Sequence, residues 1–254
     1  MLIIILGMFS GLLLGITGGG GAIVSVPALV YGLHIPMQVA TTISLFVVGV
    51  SALLGAFLKR KNVEWGKGFI FAAVGGLMTP VGVYFSHQIS ERLLILGFAI
   101  LMLVVAYLMF RKSLLKDKVV NNNLQKLSTI RSFWQILPIA ALTGILTGFF
   151  GVGGGFMIVP ALVILNGMEN KTAAATSLLI ITLISFSSIL NKINTIEMDF
   201  NLVSIFMIGS VLGMVSGSFI SQKISNRISQ RIFAAVALIL GCYMVFDSVM
   251  NWVI

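Results

Sequence analysis

A chain of 254 residues that is 58% hydrophobic and 9% charged, with mean hydropathy +1.10, carries more apolar surface than a soluble core can hide. A net charge of +9 could suit nucleic acid, but membrane proteins gather Lys and Arg in cytoplasmic loops, and that rule accounts for the same excess. Composition therefore excludes a soluble domain and disfavours a nucleic-acid binder, and the single Cys242 excludes an intrachain disulfide.

The first 58 residues contain no Lys, Arg, Asp or Glu. The N-terminus, MLIIILGMFSG, lacks a basic leader and an evident cleavage site, so it reads as retained. Within this run, GITGGGGAIVSVPALV places Gly18, Gly19, Gly20 and Gly21 where hydrocarbon cannot satisfy exposed backbone. The segment Ala22–Leu33 spans only about 18 Å as a helix, which favours a re-entrant pair of short helices over two full spans. Three spans are expected next, over Pro36–Leu58, Gly68–Ser86 and Leu93–Phe110. A polar, basic linker covers 111–131, and charge-free runs return at Ser132–Met168, Thr172–Asn191, Phe200–Gln222 and Ile232–Phe246.

The chain repeats itself. Shifted by 133 positions, Gly15, Gly18, Gly20 and Gly21 fall on Gly148, Gly151, Gly153 and Gly154, and Val26–Val30 (VPALV) falls on Val159–Val163 (VPALV). The same shift sets Ala40–Leu45 on Ala173–Leu178, and a shift of 135 sets SHQISER at Ser86 on SQKISNR at Ser221. The expected organisation is a first transmembrane repeat over 1–110, the linker 111–131, and a second repeat over 132–254.

Charge orients the repeats. Lys59–Lys67, the linker and Lys223–Arg231 hold 13 of the 16 basic residues and are expected inside; His87–Arg92 and Asn191–Asp199 are then outside. Equivalent loops thus lie on opposite faces. The fold class is therefore an all-α integral membrane protein of two inverted-topology repeats. Each repeat is a glycine-broken re-entrant hairpin plus three transmembrane helices, and both termini are external.

A helix that begins after a glycine cluster presents unpaired N–H groups at the positive end of its dipole. Glycine lets a ligand approach them, which suits an anion. Pro27 and Pro160, at or close after the first turns, mark helix breaks or gates. Discontinuous helices meeting from opposite faces hold substrate in many transporters, whereas small residues at helical spacing also serve packing alone. Thr41, Thr42, Ser44, Thr176 and Ser177 supply hydroxyls that either meet an anion or bond back to their own helices. Deep carboxylates, a Gly-Lys-Ser/Thr phosphate loop, a dinucleotide motif, a nucleophile–base pair and metal-ligand spacing are absent, so no cofactor, metal or catalytic residue is expected.

The doubled motif, Gly18–Gly21 with Pro27, Gly151–Gly155 with Pro160, and Ala173–Leu178, resembles the TauE/SafE family of membrane transporters over nearly the whole chain. The resemblance implies export of sulfite or a small organosulfur anion across a bacterial inner membrane. It places substrate at Gly18, Gly19, Gly20, Gly21, Ser44, Gly151, Gly153, Gly154, Gly155, Thr176 and Ser177. One departure is internal: Ile43 stands where the second repeat has Thr176. The expected partners are the anion and the lipid bilayer; a homo-oligomer is compatible with the sequence. A non-transporting scaffold and an anion channel remain the alternatives.

Overall fold

The computed structural model describes residues 1–86, 88–114, 129–151, 155–164, 167–192 and 199–253. They form ten α-helices: α1 Leu2–Thr17, α2 Gly21–Leu33, α3 Met37–Leu58, α4 Trp65–Ser86, α5 Glu91–Leu114, α6 Thr129–Phe150, α7 Gly155–Ile164, α8 Asn170–Lys192, α9 Phe200–Lys223 and α10 Asn226–Val253. A 3₁₀ turn, Arg60–Asn62, follows α3. Six of these helices are long and apolar enough to cross a bilayer, whereas α1, α2, α7 and the Ile136–Phe150 stretch of α6 are shorter apolar helices. The fold is an all-α, multi-pass membrane fold.

Helix ends follow local chemistry. Gly18 and Gly151 take left-handed conformations, φ 77° and 63°, that an L-residue adopts only with strain. Asp199 caps α9 by accepting from the N–H groups of Asn201 and Leu202. The expected linker is trimmed at both ends, because α5 runs to Leu114 and α6 starts at Thr129. Basic residues take a chain out of hydrocarbon but do not stop a helix. Residues 115–128, His87, Gly153, Gly154 and residues 193–198 lie outside the described residues.

Large apolar side chains such as Leu77, Phe186, Phe219 and Phe246 are exposed on the outside, while Ser25, Ser44, Ser177 and Ser185 are fully buried. That is the surface of a protein dissolved in lipid.

The packing interleaves the repeats. Helix α1 lies along α9 and α6 along α4, which in repeat terms is one contact made twice. Helices α5 and α10, and α3 and α8, pair equivalents with each other, as in an isologous interface. Small residues permit the closest contacts. Gly7, Gly11 and Gly15 of α1 sit against the backbone of Phe206, Ser210 and Met214, and Gly209, Gly213 and Gly217 of α9 against Ile4, Met8 and Leu12. Gly144 and Gly148 of α6 meet Gly75 and Thr79 of α4 in the same way.

Candidate functional site

The two glycine breaks touch. A side chain on Gly19 would strike the carbonyl of Gly155, and Gly155 has the Gly19 carbonyl and Ile181 beside it. Gly18 rests on Ala174 of α8, and Gly21, the first residue of α2, on Leu14. Only Thr17 Oγ1 stands within 3 Å of a Cβ built at Gly20, so Gly20 is held less tightly than Gly19.

Thr17 organises the first break. Its hydroxyl donates to the Leu13 carbonyl at 2.7 Å and accepts from the N–H groups of Gly20 at 2.8 Å and Gly19 at 3.4 Å. That uses its one donor and both lone pairs. A protein oxygen thus sits on N–H groups that would otherwise be open to an anion. Ser177 donates to the Gly18 carbonyl at 2.6 Å and the Ala174 carbonyl at 2.9 Å, which fastens α8 to the break. Thr176 faces elsewhere and accepts from the Glu64 N–H at 3.0 Å, anchoring the loop after α3. The first repeat has Ile43 there, fully enclosed. Ser44, the counterpart of Ser177, is fully buried and its hydroxyl has no hydrogen-bond partner among the described residues. Pro27 and Pro160 lie buried in the second turns of α2 and α7, where each removes an internal hydrogen bond.

A cavity of about 620 Å³ leads to this junction. Thr17, Val159, Ala174 and Phe233, which abut Gly18–Gly20, belong to its wall, and so do Lys59, Arg60, Lys61 and Lys171. No carboxylate is among its described lining residues. Lys59 Nζ donates to the Gly15 carbonyl at 2.7 Å, and burial pushes its ammonium down to about 8. Sequence reasoning passed over Lys59 because it opens a basic loop and reads there as a positive-inside residue.

The position that matches the cavity by the sequence repeat is shut. Met37, Gln38, Thr41, Ser86, Leu94, Phe149 and Phe150 enclose only about 10 Å³. Every one has a counterpart on the open wall: Asn170, Lys171, Ala174, Ser221, Ser229, Ile16 and Thr17. Phe150 stands where the first repeat has Thr17. It packs with Phe149 and Phe98, at ring separations of 4.8 and 5.9 Å, and Phe98 with Phe156 at 5.8 Å. The Glu91 carboxylate accepts from the Met37 N–H and ties the start of α5 to the start of α3.

Among known proteins, the family profile described as Sulfite exporter TauE/SafE matches residues 3–244. The chain belongs to the TauE/SafE family. A probable membrane transporter protein of Xylella fastidiosa (strain 9a5c) is 30% identical over 243 residues, covering 94% of this chain and 92% of the relative. The probable membrane transporter protein YunE of Bacillus subtilis (strain 168) is 27% identical over 275 residues, covering 99% of each. No solved structure matches. As a TauE/SafE protein, the chain is a multi-pass membrane transport protein and not an enzyme.

Proposed function

We propose that this protein is a secondary transporter that exports sulfite or a small sulfur-containing organic anion by alternating access, with the anion held where the glycine breaks meet. The observation that carries this reading is the mismatch between repeat-equivalent positions: one lines a cavity of about 620 Å³ and the other closes on about 10 Å³. Exchange of the two states by two related halves would move a bound anion from one side to the other. The open wall is basic, so the positive-inside rule puts it in the cytoplasm of a bacterial inner membrane, where an exporter loads. The repeats are inverted, the glycine pairs α1–α2 and α6–α7 are re-entrant hairpins, and both termini are external. No ATP-binding motif is present in the sequence, so a gradient drives the cycle.

Purified protein in liposomes should exchange radiolabelled sulfite across the membrane at carrier-like turnover. No flux of sulfite or sulfonates would leave a scaffold, and channel-like turnover would replace the carrier by a pore. Cysteines at Asn62 and Asn194, in equivalent loops, should label from opposite faces; labelling from one face removes the inversion.

A further inference from the structure

We propose that Lys59 is the cation that holds the substrate oxyanion in the open cavity, beside the first glycine break; this rests on the transport reading above. Basic residues at the cytoplasmic ends of membrane helices ordinarily extend outward to water. The neighbours of Lys59 fit that rule: Lys61 is exposed, Arg60 lies over the Phe57 ring at 5.0 Å, and Lys67 pairs with Glu64 at 2.9 Å. Lys59 departs from it. It follows the last residue of α3, is half-buried, and reaches across to the Gly15 carbonyl of α1.

An ammonium has three N–H donors, and the protein takes one of them. Among the described residues the other two have no protein acceptor, and Lys59 makes no ion pair. A half-buried cation left so is costly, and an anion entering the cavity supplies what it lacks. The address is specific as well. Gly15 and Thr17 are two residues apart on α1, so the ammonium is tethered within one helical turn of the N–H groups that Thr17 now occupies. An anion with two or more oxygens can bridge ammonium and backbone, whereas a halide can satisfy only one of them. The ligand class is therefore a small oxyanion, a sulfite or a sulfonate, in preference to chloride.

Gln at position 59 keeps a donor for the Gly15 carbonyl and removes the charge, so it separates binding from scaffolding. Calorimetry on the purified full chain should find sulfite and methanesulfonate bound at least about tenfold more weakly by Lys59→Gln, the loss expected of one charged hydrogen bond. Lys59→Arg should stay near the wild type, and Lys67→Gln, which removes a charge from the first turn of α4 outside the cavity, should not change. Equal affinity of Lys59→Gln and wild type for both anions overturns the assignment, as does a wild type that binds neither. Binding that depends on Lys59 in a protein without flux would keep the site and remove the transporter. If Lys59→Gln does not fold, acetylation of Lys59 in the unaltered chain decides: methanesulfonate should slow it more than sodium chloride at equal ionic strength, and equal rates overturn the site.

Discussion

Gly18 ends α1 with φ 77° and an N–H bond of 2.8 Å to Leu14, and Gly151 ends α6 with φ 63° and an N–H bond of 2.8 Å to Thr147. Up to that atom the two breaks are copies. One residue earlier they part, because Thr17 ends α1 and Phe150 ends α6. The hydroxyl turns its break into a polar floor that a basic cavity reaches. The ring joins Phe98, Phe149 and Phe156 and leaves its side almost without free volume. Repetition thus preserves the backbone device, and side chains give the two copies unlike mouths. The mouths differ in chemistry as well as in openness: Met37 and Gln38 stand where the open wall has Asn170 and Lys171.

The comparison breaks most completely where the two copies touch. Gly19→Val places a branched side chain on the Gly155 carbonyl and should abolish sulfite flux while the protein still inserts. Gly20→Ala meets only the Thr17 hydroxyl at 2.7 Å and should retain most of the flux. Flux assays in liposomes with matched protein content check the pair, and equal loss in both variants would show that the junction is not special.

A smaller effect comes from making the copies alike. Phe150→Thr gives the second break the residue of the first, at a cost of roughly 3–5 kcal/mol in lost packing. Cysteine at Ser86, in the closed mouth, should then become reactive to a charged thiol reagent, while it stays protected with Phe150 in place. Protection in both backgrounds would mean that the ring does not close this side.

The smallest effect sharpens the basic mouth. Lys59 is charged below about pH 8 and neutral above it, so affinity for methanesulfonate, whose own charge is fixed in this range, should fall severalfold as pH rises through that value. Around it, α1 carries no titratable side chain; Arg60, Lys61 and Glu64 lie on its own loop, Lys171 and Glu169 at the start of α8, Lys223 at the end of α9, and Arg227 and Arg231 on α10. Arginine keeps its charge in this range, so Lys59→Arg should bind methanesulfonate with a flat profile between pH 7 and 9, measured by calorimetry. A slope retained in that variant would assign the titration to another group.

Much of this was legible in the sequence. The all-α, multi-pass fold and its six long helices follow from charge-free runs, because hydrocarbon punishes any other use of such segments. The meeting of Gly19 with Gly155 follows less directly, from doubled motifs alone. Hydroxyl roles were not legible. Whether Ser177 serves a carbonyl or a ligand depends on which helix lies across from it, and the sequence says nothing of that. The stripes Gly7–Gly11–Gly15 and Gly209–Gly213–Gly217 were readable as small residues at spacing four, but their partners were not, since each stripe packs against the opposite repeat. Lys59 was hidden by its company: a lysine within a basic loop carries no mark of which way it turns.

The interleaving of α1 with α9 also bears on biogenesis. The glycine stripe of α1 has its partner some 200 residues downstream, so α1 is made and inserted with its most adhesive face bare. At ordinary translation rates it waits roughly 10 to 40 seconds for α9 to emerge. The stripe of α6, by contrast, finds α4 already in place. The first half therefore emerges with the α1 stripe unpaired, and a ribosome that stalls before α9 leaves it in that condition.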